Sequence, residues 1–278
     1  MRVVIESGST KADWRLWDDG HEPVRLHTTG FNPHTSDGAE FAKSFLDSPD
    51  AITEGVTDVF FYGAGCSTKP AIARVQARLE ELFPGAIIEV NSDLLGAARA
   101  TAKDQVAVVC ILGTGSNSCL YNGTKIIDQV PNLGYLLGDE GSGFAIGREL
   151  LRAFFYRELD PQLTIRFQDE INQSRNELIR TLYANSSPNK IISAYTDFIV
   201  RNREHPDLRA IVRRVFDEFI TRHIKKYTIT PHIPVHFVGS VAYLFRDILE
   251  SELEKNNLRK GTFLRKPIDA LVAYHVKQ

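Results

Sequence analysis

The run "VVIESGSTKADW", residues 3–14, sets an apolar strand against a tip of small hydroxyl residues. Val3, Val4 and Ile5 read as a buried strand with Glu6 at its end. Ser7-Gly8-Ser9-Thr10-Lys11 then turn the chain, and Trp14 and Leu16 read as an alternating second strand over 13–17. A tight turn of Gly, Ser and Thr exposes backbone N–H groups and hydroxyls with no bulky side chain in the way. That donor surface suits phosphate oxygens, and Lys11 adds a point charge to it.

A second stretch repeats the pattern. "CILGTGSNSCLY", residues 110–121, can be laid on the first so that Ser7-Gly8-Ser9 meets Thr114-Gly115-Ser116 and Trp14 meets Tyr121. Each copy is strand, Gly turn, strand, and each opens one half of the chain. The best boundary is therefore near 107: one lobe over 1–107 and a second over 108–278. Two such turns suit two lobes closing on one polyphosphate.

Around these turns strands and helices alternate. "VTDVFFYGAG" (56–65), "AIIEV" (86–90) and "VAVVCIL" (106–112) read as strands, and 38–47 and 69–83 as helices. "SDLLGAARATA" starts a helix capped by Ser92 or Asp93. This is an α/β pattern. From about 147 to 228 four amphipathic helical segments form an insert, after which "PVHFVGSVAYLF" returns to strand, Gly turn and helix.

The totals fit a soluble globular protein: 278 residues, 43% hydrophobic, 24% charged, net charge −2. Bulk charge points to no nucleic acid or membrane partner. No apolar stretch approaches the ~20 residues that span a bilayer, and the start lacks a signal-peptide pattern, so a cytoplasmic location is expected. Cys66, Cys110 and Cys119 form no ligand-like cluster and read as reduced, buried thiols.

G-x-x-x-x-G-K-[ST] is absent, neither Gly113-Thr-Gly115 nor Gly63-Ala-Gly65 completes G-x-G-x-x-G, and G-x-S-x-G is missing. The carboxylates carry more. Glu6, Asp93, Asp139 and Glu140 each stand at a strand end or in a Gly-rich turn, where α/β proteins place ligands. With two phosphate turns they suggest Mg²⁺ held partly through water and a base for a substrate hydroxyl.

In order along the chain, "ESGSTKADW", "NSDLLGAARA", "ILGTGSNSCLYNG", "LGDEGSGFAIGREL", "FVGSVAYLF" and "KPIDALVAY" resemble the motifs of the N-acetylglucosamine kinase/BadF-BadG-type ATPase family of the actin–Hsp70–sugar kinase superfamily. The resemblance implies two actin-like (ribonuclease H-like) lobes with a nucleotide cleft between them. It implies ATP and Mg²⁺ as cofactors, an amino sugar as substrate, N-acetylglucosamine first, and a homodimer. It also implies a C-terminal helix able to pack back on the first lobe. Asp93 would be the general base toward the sugar 6-hydroxyl. Asn32, Gly134 and Asp139 would bind the sugar. Ser9, Thr10 and Lys11, with Gly113, Thr114, Gly115 and Ser116, would meet the ATP phosphates, and Gly239 and Ser240 the adenosine. Glu6 would hold Mg²⁺ through water. The chain departs from the pattern at Glu6, where Asp is frequent, at Leu133, where an aromatic residue is frequent, and at Asp269, where Gly is usual. Two other readings stay open: an ATPase that drives a partner protein, and a sugar-binding sensor with impaired catalysis.

Overall fold

The structure, a computed structural model, describes residues 1–18, 20–229 and 232–276. It falls into two compact units. The first holds Met1–Gln105, Asn122–Ile126 and the segment from Lys266; the second holds Val106–Tyr121 and Ile127–Arg265.

The first unit is built on β1 (Arg2–Ser7), β2 (Lys11–Trp17), β3 (Val24–Thr29), β4 (Asp58–Gly63) and β5 (Ile87–Ser92). The sheet order is β3-β2-β1-β4-β5; β2 runs antiparallel to β1 and β3, while β4 and β5 run parallel to β1. Helices α1 (Ala39–Leu46) and α2 (Lys69–Leu82) supply Phe41, Phe45, Val75 and Leu79 to one core with Val3, Ile5, Trp14 and Phe61. Trp14 stacks on Phe41 and Phe45 at 4.9 and 4.4 Å. The other face lies under α3 (Asp93–Thr101) and the C-terminal helix, Ile268–Val276.

That second cover corrects the reading of β2. Its alternation predicts one polar, solvated face, yet Asp13 and Arg15 are 6% and 5% exposed. They are buried because the C-terminal segment brings them partners: Lys266 Nζ lies 2.8 Å from Asp13 and Asp269 lies 2.7 Å from Arg15.

The second sheet, which apart from Asn122 and Ile126 lies in the second unit, carries β6 (Val106–Leu112), β7 (Ser116–Asn122), β8 (Ile126–Asp128), β9 (Pro234–Val238) and β10 (Arg259–Leu264). Its order is β8-β7-β6-β9-β10, the same plan as the first sheet, with β6, β9 and β10 parallel. The sequence echo is thus a repeated topology. The strand ends shift its alignment by two residues, because β1 ends at Ser7 and β6 at Leu112, which sets Gly8 against Gly113. An even shift keeps every side chain on its face, so the apolar match survives.

Helices α4 (Gly134–Leu137), α5 (Gly143–Phe155), α6 (Pro161–Ile171), α7 (Arg175–Ala184), α8 (Pro188–Ala194), α9 (Thr196–Arg201) and α10 (Pro206–Arg222) follow β8, and α11 (Ser240–Leu244) and α12 (Arg246–Lys255) separate β9 from β10. The C-terminal helix is α13. Two of the four amphipathic segments are broken in two. Asn172 turns left-handed at φ 41° and Ser174 opens a capping box with Glu177, while Tyr195 divides α8 from α9.

Candidate active site

Since β3, β1, β4 and β5 run in one direction, their C-terminal ends share one edge of the first unit. The chain leaves them through Gly30–Phe31–Asn32, the Gly8 turn, Gly63–Ala64–Gly65 and Asp93. Ligands of α/β sheets bind at such edges.

The first turn is closed by the Gly8 N–H, which donates to Lys11 O at 3.0 Å, leaving Ser9, Thr10 and Lys11 exposed. Gly30 lies directly beneath. A Cβ there would come within 2.1 Å of Gly8 O and 2.8 Å of the Thr10 and Lys11 nitrogens, so only glycine lets the two backbones approach. Ser7 Oγ accepts the Phe31 N–H at 2.8 Å. Asn32 Nδ2 donates to Ser9 Oγ at 2.9 Å, and its Oδ1 accepts the His34 N–H at 3.0 Å. The candidate sugar ligand Asn32 and the candidate phosphate ligand Ser9 are therefore in contact.

Ser92 is the N-cap of α3, its side chain accepting from the Leu95 N–H. Asp93 then occupies the first helical position with Oδ1 on the Leu94 N–H at 2.8 Å. Burial pushes its carboxyl above the usual aspartate range, against the pull of the backbone N–H groups of Leu94 and Asp93. Glu6 faces Asp13 directly across the β1–β2 pair. Burial pushes the Glu6 carboxyl up to about 7, aided by the charges of Asp13 and Asp93 and opposed by Lys266. Burial first, and then Asp93, push the neighbouring Cys66 thiol up to about 12.

Among the described residues no group of three or more His, Cys, Asp or Glu is placed to hold a metal ion. The Glu6 side chain makes no hydrogen bond or ion pair among them. Its oxygens, beside two further carboxylates, form an excess of negative charge that a divalent cation relieves. Magnesium binds proteins through one or two carboxylates and keeps its waters, so a single Glu6 fits it better than a full protein cage.

In the second unit, β6 and β9 end together. A Cβ on Gly239, at φ 118°, would lie 2.3 Å from Leu112 O, so the adenosine candidate abuts the second turn; Ser240 follows it, exposed, as the first residue of α11. In the turn, Gly113 N–H donates to Gly115 O at 2.9 Å. The first N–H groups of α5, those of Gly143 and Phe144, donate to Gly113 O at 2.8 Å and Thr114 O at 3.2 Å. Asp139 packs against the turn, its Oδ1 accepting the Ser116 N–H at 3.0 Å. Gly134, at φ 67°, donates its N–H to Asn132 Oδ1 at 2.6 Å. Glu140 is taken up by His223, with Nε2 and Oε2 3.1 Å apart.

Several contributors escape the sequence reading. Gly30 and Ser7 support the first turn, Asn132 supports the second, and Asp13 with Lys266 sets the charge around Glu6. Gly30 stands two residues before Asn32 in "TGFNPHT" and is a readable signal; Lys266 lies more than 250 residues from Asp13 and leaves none.

No protein-family model matches the chain. The N-acetyl-D-glucosamine kinase of Dictyostelium discoideum is 26% identical over 167 residues, 54% of this chain and 52% of that protein. The match thus spans about half the length of this curated relative. A crystal structure from Porphyromonas gingivalis, provisionally named an N-acetylglucosamine kinase, is 35% identical over 100% of this chain and 99% of its own, with a TM-score of 0.93. Another from Chromobacterium violaceum, with the same provisional name, covers 98% of each chain at 15% identity and a TM-score of 0.74, and so shares the fold. A 35% identity to the first structure over the whole chain, the doubled sheet plan and the ordered motifs lead to one assignment: the chain belongs to the N-acetylglucosamine kinase/BadF-BadG-type ATPase family of the actin–Hsp70–sugar kinase superfamily.

Proposed function

We propose that this chain is an ATP-dependent kinase that phosphorylates the 6-hydroxyl of an amino sugar, with N-acetylglucosamine as the first candidate. The names of the relatives support the reaction class. The observation that carries the reading is Asp93. It sits at the edge that also bears the first turn and Asn32; Ser92 caps the helix, the Leu94 N–H holds Asp93 Oδ1, and burial raises the carboxyl above the usual aspartate range. A base is most effective when its pKa approaches the working pH.

In this reading Asp93 receives the proton of the sugar 6-hydroxyl as that oxygen attacks the γ-phosphorus and the bond to the ADP oxygen breaks. Ser9, Thr10 and Lys11, and residues 113–116, donate to phosphate oxygens; Gly239 and Ser240 border the adenosine. Asn32, Gly134 and Asp139 hold the sugar. Glu6 would hold, through water, a Mg²⁺ that would supply positive charge against the phosphates. Positioning and fixed donors supply most of the acceleration in such transfers. The proposal includes a homodimer in the cytoplasm, and sedimentation velocity measures the first of these.

ADP release from Mg-ATP over a panel of amino sugars and hexoses tests the reading. A signal that requires one amino sugar is expected. Asp93→Asn should lower that turnover by about 10²–10⁴-fold while nucleotide binding survives. Equal ADP release with and without sugar would overturn the kinase in favour of a partner-coupled ATPase. Near-normal turnover in the Asn variant would remove Asp93 from its role.

A further inference from the structure

Asp139 lies at φ 59°, in the left-handed region that residues bearing a Cβ seldom adopt, and is 7% exposed. Such a conformation persists only where its surroundings fix it. Here they are specific. Oδ1 accepts the Ser116 N–H at 3.0 Å and the Asn132 side-chain amide at 3.2 Å. The Asp139 carbonyl accepts the N–H and hydroxyl of Ser142, the N-cap of α5, at 3.2 and 2.5 Å. Asn132 Nδ2 also reaches Ser116 O, while Asn132 Oδ1 holds the Gly134 N–H.

The carboxylate fills the space beneath the turn. A Cβ on Gly115 would lie 2.9 and 3.0 Å from its two oxygens. With α5 pinning the carbonyls of Gly113 and Thr114, and Asp139 taking the Ser116 N–H, the inward-facing groups of the turn are satisfied. The N–H groups of Thr114 and Gly115 make no hydrogen bond among the described residues. They are left as a pair of donors fixed before any ligand arrives, and donors that need no reorganisation bind more tightly.

We propose that Asn132 and Asp139 are positioning residues that brace the second phosphate turn, a role separate from any sugar contact of Asp139. The proposal rests on reading residues 113–116 as a phosphate site. Asn132 ties the turn to Gly134, so the brace links the candidate phosphate and sugar segments of this unit. What it requires of Asp139 is an acceptor oxygen at Oδ1, not a negative charge.

Titration calorimetry with adenosine and with Mg²⁺-loaded AMP-PNP tests this without any sugar. The ratio of the two affinities isolates what the phosphates contribute. Asp139→Ala and Asn132→Ala should each lower that ratio about tenfold or more with adenosine affinity unchanged. Asp139→Asn keeps a carbonyl oxygen and should restore most of it. Asn132→Ala, on an exposed segment, keeps the test open where Asp139→Ala fails to fold. An unchanged ratio in Asn132→Ala would overturn the brace. So would an Asn variant at 139 as damaged as the Ala variant, or a parallel fall in adenosine affinity. A wild-type chain that gains nothing from adenosine to AMP-PNP would overturn the phosphate site itself, a result distinct from failure of the brace alone.

Discussion

Glu6 and Asp13 are like charges set opposite one another on adjacent antiparallel strands, an arrangement that costs free energy unless something offsets it. Asp13 is paired with Lys266 and bonded to His27; Glu6 feels Lys266 only as a lesser opposing charge, and its carboxyl rises to about 7. A folded-state pKa above the ordinary value of 4.5 means that the metal-free fold binds the proton more tightly than the unfolded chain. The stability it contributes is full below about 4.5 and is lost as pH rises through about 7. Glu6→Gln, neutral and of the same shape, should therefore raise the unfolding free energy of the metal-free protein at pH 8 by up to about 3 kcal/mol and change little at pH 4. Mg²⁺-dependent nucleotide affinity should fall in the same variant. Urea unfolding in chelator at the two pH values measures this. A variant no more stable than the parent at pH 8 would show that Lys266 already neutralises the pair.

At the level of the element, α13 explains why a strand with an alternating pattern is buried on both faces. Arg15 is charged and almost fully covered; Asp269, in the first turn of α13, is its carboxylate partner and also suits the positive end of that helix. Asp269 needs no left-handed backbone and completes the pair. Asp269→Ala should cost about 1–3 kcal/mol, since Arg15 keeps only its bond to the Trp14 carbonyl. Scanning calorimetry would detect the shift, and an unchanged melting temperature would mean that water replaces the carboxylate. The same helix marks the limit of sequence reading. Val3-Val4-Ile5, "VAVVCIL" and "AIIEV" could be read as strands because apolar runs and Gly stops are local signals. The cover over Asp13 and Arg15 comes from the far end of the chain, and no local pattern encodes it. Breaks within helices were missed for the opposite reason. Asn172 and Tyr195 are compatible with a helix by type, and tertiary packing decides against it.

For the whole molecule, the candidate site residues are legible as types and their supports are not. Glu6, Asp93 and the two turns stand out as candidates because small residues beside carboxylates at strand ends have few uses. Asn132 and Gly30 act by fitting against backbone that the sequence does not place. Two of the three buried histidines among the described residues, His236 in the second unit and His275 in the first, give the fold a common response to acid. His236 Nδ1 accepts the Thr262 N–H at 2.9 Å. His275 Nε2 lies 2.8 Å from Tyr62 Oη, which accepts from Arg99; a neutral imidazole can take the tyrosine's hydroxyl proton in a hydrogen bond there. Burial, and then Arg259 for the first and mainly Arg99 for the second, lower both to about 4. A histidine lowered from 6.5 stabilises the fold above 6.5 and loses that contribution as pH falls toward 4, because the unfolded chain takes up the proton first. Unfolding free energy should thus fall over that window, and His275→Gln, which can still accept from Tyr62 without titrating, should flatten the curve by about one proton. Parallel curves for parent and variant would show that His275 protonates within the fold at no cost, and that the Tyr62 bond does not hold its neutral form.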